Sequence, residues 1–189
     1  TRPRRFGKTM GMSMLANFFD IRKDSQAMFE GLEISKNTAL CSEWMNQWPV
    51  LFLSFKDVDG NCFENAYEML KFALSQACIT HTYLQQDPKI DDTFQKKFSA
   101  LKDQTASLQE VKTSILILMQ MMRDHYGRPV ILLIDEYDVP IAKASAKGYY
   151  PEMLEVIKGL MSTALKDNDA LRFAVITGCL RIAKESIFT

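Results

Sequence analysis

The chain has 189 residues, of which 47% are hydrophobic and 24% charged. This is ordinary globular composition, and it excludes disordered, collagen-like and coiled-coil classes. Lys and Arg (23) balance Asp and Glu (23), so bulk charge favours neither nucleic acid nor an acidic membrane, and no apolar run approaches the ~20 residues that span a bilayer.

Four cations, Arg2, Arg4, Arg5 and Lys8, fall within the first eight residues. They belong to RPRRFGKT, residues 2–9, and a helix is predicted to follow, with Met14, Leu15, Phe18 and Phe19 at helical spacing. Gly-Lys-Thr at the start of a helix is the working end of a phosphate-binding loop. Successive backbone N–H groups there face a concavity that suits phosphate oxygens. Gly7 allows close approach, Lys8 reaches the β- and γ-phosphates, and Thr9 offers its hydroxyl to Mg²⁺. The flanking amides of Arg5, Phe6 and Met10 complete the cradle. The general pattern asks for glycine at position 2, where this chain has Arg2, and an exposed basic arm is the alternative reading.

Residues 26–48 read as a short helix plus loops, with Trp44 and Trp48 one helical turn apart and read as packing. PVLFLSF, 49–55, is a predicted buried strand, followed by a loop over 57–61. Phe63, Ala66, Tyr67, Leu70, Leu74 and Ala77 stripe a helix. A weaker helix is predicted over 91–103. A strong one runs from Leu108 through Met122 and is stopped by Gly127 and Pro129. The Met-rich stretch 116–122 is read as core.

VILLI, 130–134, is a second predicted buried strand, with DEYD directly after it. Parallel sheets place ligands at the carboxyl ends of their strands. Asp135 at that end suits Mg²⁺, and Glu136 suits orienting and deprotonating an attacking water. Asp138 helps there or caps the next segment. A helix over 150–166 and a third strand over 171–177 follow. Thr177 ends that strand as a candidate contact to the γ-phosphate, and Arg181, Arg172 and Lys184 are candidate cations, Arg181 the best placed. Strands alternating with helices give an α/β fold with a mainly parallel sheet.

Other signals carry less. Cys41, Cys62, Cys78 and Cys179 form no CxxC pair, so they read as buried thiols of a reducing cytosol rather than zinc ligands, and a cytoplasmic location is expected. Asp57, Asp59, Asn61 and Glu68 match calcium-loop spacing, but Cys62 stands where the sharp turn needs glycine. His81 and His125 are solitary and read as solvent or helix-end residues.

RPRRFGKTMGMSML, FEGLEI, PVLFLSFKDV, LLIDEYDVPI, YYPEMLEVIKGLMSTALKDN and FAVITGCLRIAKESIFT together resemble, in order, the bacterial AAA-ATPase-like family. The resemblance implies a P-loop NTPase core of the additional-strand type, a three-layer sandwich with a helical insert. It implies that Gly7, Lys8 and Thr9 form the nucleotide loop, that Asp135 and Glu136 form the acidic motif, and that Thr177 holds the sensor-like position. In this family the Arg2 departure is normal. The resemblance also implies that longer members carry a C-terminal restriction-endonuclease-like domain, a route to DNA expected to lie outside these 189 residues.

The whole chain, 1–189, is thus expected to be one partial nucleotide-binding domain. Its edges read as fragment edges, because it opens on the loop itself and stops in IAKESIFT just after a strand. The strand before the loop is expected between those ending in Asp135 and Thr177 or beside them, and a fragment lacking it is expected to be poorly stable and weakly active. The leading functional expectation is Mg²⁺-dependent ATP hydrolysis, possible in a homo-oligomer that takes an arginine from a neighbour. The alternatives are a nucleotide-gated switch with slow hydrolysis that regulates an attached domain, and a nucleic-acid-processing component.

Overall fold

A computed structural model describes residues 7–179. The expectations placed on Arg2, Arg4, Arg5, Phe6, Arg181 and Lys184 lie outside that span. Along the chain come α1 (Lys8–Phe19), α2 (Gln26–Phe29), a 3₁₀ turn (Glu33–Lys36), α3 (Thr38–Trp44), β1 (Val50–Ser54) and α4 (Phe63–Thr80). A second 3₁₀ turn (Thr82–Leu84), α5 (Asp92–Lys102), α6 (Leu108–Tyr126), β2 (Val130–Asp135), α7 (Val139–Lys147), α8 (Tyr150–Leu165) and β3 (Leu171–Ile176) follow.

Among the described residues the sheet has three strands in the order β1-β2-β3, all parallel. Central β2 is buried along its whole length, as its unbroken apolar run requires in a sheet covered on both faces. The pleat divides the side chains into two sets. Leu51, Leu53, Leu132 and Ile134 face the larger core under α4, α6 and α8, with Met119, Met121 and Met122 in the same cluster. Val50, Ile131 and Leu133 face the smaller core under α1, with Met12, Phe19, Phe173 and Val175 packed there.

β2 and β3 pair directly, from Val130 opposite Leu171 to Ile134 opposite Ile176, with one irregularity at Val130/Ile131. Among the described residues no strand stands between them, which corrects the first of the two places expected for the strand before the loop and leaves the second, beside them. α7 is an element the sequence pattern does not announce. Trp44 and Trp48 stack on each other with ring centroids 5.1 Å apart. Cys78 is buried, whereas Cys41 is half-buried and Cys62 and Cys179 are exposed, which corrects the reading of all four as buried thiols. His81 caps the C-terminal end of α4 but is only 2% exposed, so it is no solvent residue. No helix among the described residues is long and apolar enough to cross a membrane.

Candidate functional site

All three strands run the same way, so their carboxyl ends share one edge of the sheet. On the α1 face of that edge the alternation that buries Val50, Ile131 and Leu133 continues to Ser54, Asp135 and Thr177. Ser54 and Asp135 are direct partners in the ladder. Asp135 is 1% exposed, a carboxylate at the closed end of an apolar strand.

The segment after β3 is bound to the segment after β2 by a run of hydrogen bonds. Thr177 N donates to the Ile134 carbonyl (2.9 Å) and Tyr137 N donates to the Thr177 carbonyl (3.1 Å). The Thr177 hydroxyl donates to Asp135 Oδ1 and accepts from Glu136 N at 3.4 Å. Cys179 N donates to Asp138 Oδ2 at 2.8 Å. Glu136 adopts a positive φ of 54°, a left-handed conformation uncommon for a side-chain-bearing residue and one that clusters at functional sites. It breaks the strand alternation at that point.

The head of α1 arrives at the same place. Gly7 precedes the helix with φ 74°, a backbone state that glycine adopts at no steric cost. Its carbonyl accepts the first helical bond, from Gly11 N, at 2.8 Å. Lys8 Nζ lies 3.1 Å from Cys179 Sγ, so Lys8 and the acidic residues after β2 border one short segment, Thr177–Cys179. Thr9 and Met10 are exposed on the first turn.

The donor set fits a hard cation. Asp135 Oδ1 is engaged by Thr177, whereas Asp135 Oδ2 is buried with no hydrogen-bond partner among the described residues. An oxygen left in that state costs roughly 1–3 kcal/mol unless a ligand satisfies it. No group of three or more His, Cys, Asp or Glu side chains is gathered for a metal among the described residues.

Arg172 is not part of this site. It lies near the start of β3, with its guanidinium 5.5 Å from the Trp44 ring and 5.3 Å from the Trp48 ring, a cation–π arrangement at the opposite end of the strand. Asp59 is the ion-pair partner of Lys147 (2.6 Å) and Lys143 (3.2 Å), which holds its carboxyl below the usual range. The sequence reading missed Ser54 and Gly178 as site neighbours. Ser54 had a faint signal, a polar residue closing an apolar strand.

The family described as predicted AAA-ATPase matches residues 1–188. An uncharacterised protein in the vnfD 5′ region of Azotobacter chroococcum mcd 1 is 27% identical over 193 residues, covering all of this chain. The chain spans 31% of that relative's length. No solved structure matches.

Proposed function

The chain belongs to the predicted AAA-ATPase family, and from that premise we propose that it is a nucleotide-binding domain that binds ATP with Mg²⁺ and hydrolyses it. The observation that carries this reading is the meeting of Lys8 and the β2 acidic motif on one segment, through Lys8–Cys179, Asp138–Cys179 and Asp135–Thr177 contacts.

In this reading the amides around Gly7 and the head of α1 receive phosphate oxygens, with Arg5, Phe6 and Met10 lending the flanking backbone. Lys8 leaves the Cys179 thiol for the β- and γ-phosphates. Thr9 and Asp135 hold the metal, which when bound offsets phosphate charge. Glu136 orients the attacking water and takes its proton. Thr177 holds Asp135 by its hydroxyl and contacts the γ-phosphate, and Arg181 adds positive charge near that phosphate.

The test uses the full-length protein with ATP and Mg²⁺. Glu136→Gln should lower multiple-turnover hydrolysis by about 10²–10⁴-fold while ATP affinity stays within about twofold. Lys8→Ala should lose affinity. A Glu136→Gln variant that turns over like wild type would falsify the hydrolytic reading.

A further inference from the structure

Ser54 has no role in the expectations above. Its hydroxyl oxygen is buried and has no hydrogen-bond partner among the described residues. The same is true of Asp135 Oδ2, and Ser54 and Asp135 are direct partners in the β1–β2 ladder. Strands in a ladder lie ~4.8 Å apart, and in-register residues of parallel strands present their side chains to the same face. Two orphaned oxygens thus stand side by side at the closed edge of the sheet, on the face where α1 begins.

Unmet hydroxyls elsewhere do not share this setting. Ser114 lies within α6 and Tyr67 within α4, neither on a strand of the sheet. At the sheet edge the combination is a carboxylate oxygen with open acceptor capacity beside a hydroxyl that both donates and accepts. Such a pair suits a water molecule that is itself polarised by a cation, because that water donates to the carboxylate and to the hydroxyl oxygen.

We propose that Ser54 is a positioning residue of the metal site, its hydroxyl and Asp135 Oδ2 together holding a water of the Mg²⁺ shell. The inference rests on the nucleotide-binding reading above and adds a residue from β1 to a site otherwise built from α1, β2 and the end of β3. It also accounts for a polar residue at the last position of a strand whose other members are all apolar.

The experiment measures affinity of the full-length protein for a fluorescent ATP analogue, in EDTA and across a Mg²⁺ titration, for wild type, Ser54→Ala and Ser54→Cys. Both variants should lose about 3- to 10-fold of the Mg²⁺-dependent gain in affinity, the worth of one hydrogen bond, and match wild type in EDTA. The ligand-free Tm of Ser54→Ala should be unchanged or raised, since a buried unpaired hydroxyl is removed; a hydroxyl serving only the fold would lower it. Ser54→Cys nearly preserves volume and decides the matter if the alanine variant does not fold. A folded variant with the wild-type Mg²⁺ response overturns the proposal, and so does an equal loss of affinity with and without Mg²⁺. Wild-type protein without any Mg²⁺-dependent affinity overturns the nucleotide reading as well, which separates the two failures.

Discussion

At Gly178 the backbone passes so close to the acidic motif that an added Cβ would stand 2.6 Å from Asp138 Oδ1 and 2.7 Å from the Tyr137 ring. Real Cβ atoms do not come so near, so a side chain there forces either the Thr177–Cys179 segment or the Asp138 and Tyr137 side chains to shift. Gly178→Ala is therefore expected to lower turnover at least about tenfold, a loss of the kind that small misplacement of reacting groups produces. ATP affinity should change less, and steady-state kinetics beside equilibrium binding reads the split. Thr177→Val keeps the side-chain shape but removes the hydroxyl that meets Asp135. It should cost about 1–3 kcal/mol in urea unfolding, since a buried carboxylate oxygen is left unmatched. Lys8, Asp135, Glu136 and Thr177 could be singled out from the sequence because each sits at a strand end or in a Gly-Lys-Thr run. Gly178 could not, because its neighbours are set by a close approach of segments far apart in the chain, and Ser54 carried only the faint signal of a polar strand end, its pairing with Asp135 being set by ladder register.

Among the elements, α6 has the most complete local code. Ser107 accepts from Glu110 N while Glu110 accepts from Ser107 N, a capping box, and Gly127 closes the far end with φ 69°. Ser107→Ala should lower stability by about 1 kcal/mol and leave nucleotide affinity unchanged, as thermal melts with and without ATP would show. The helix stripes of α4, α6 and α8 were readable for the same reason, since long amphipathic segments announce their period. α7 was not. It has nine residues, starts directly after the acidic motif and has proline in its first turn, so VPIAKASAK offers too few turns for a period to emerge. What forms it is packing, through buried Pro140, Ile141 and Ala144. The directly paired β2 and β3 were likewise beyond the pattern, because apolar runs specify burial and not the order of strands.

Across the whole molecule, the chain leaving α1 is tied to the end of α4 by a buried polar knot. Arg22 donates to Asp20 Oδ2 at 2.7 Å and to the Thr80 carbonyl at 3.3 Å, and His81 Nδ1 lies 2.9 Å from the Tyr83 hydroxyl. Burial, with Arg22 nearby, pushes the His81 pKa down to about 3. Below about pH 6.5 the unfolded chain takes up a proton on this histidine that the folded chain refuses, so stability falls as pH falls. The loss approaches ~1.4 kcal/mol per pH unit until about pH 3. Asp87, held below the usual carboxylate range chiefly by its hydrogen bond with His125, adds a loss of the same sign at lower pH. His81→Gln should flatten the slope between pH 6 and 4, as urea midpoints measured across that range would show.

The two ends of α1 sit in very different company. Its first residue, Lys8, touches the segment after β3. Its last, Phe19, meets Trp44 edge-on at 5.9 Å, and Trp44 in turn lies against Trp48. These are the two tryptophans of the chain, so the protein carries a built-in optical gauge at the opposite end of a stiff rod from the proposed phosphate site. If Lys8 shifts when ATP arrives, indole emission should change in step with occupancy, without any attached dye, and should stay silent in Lys8→Ala at the same nucleotide concentration.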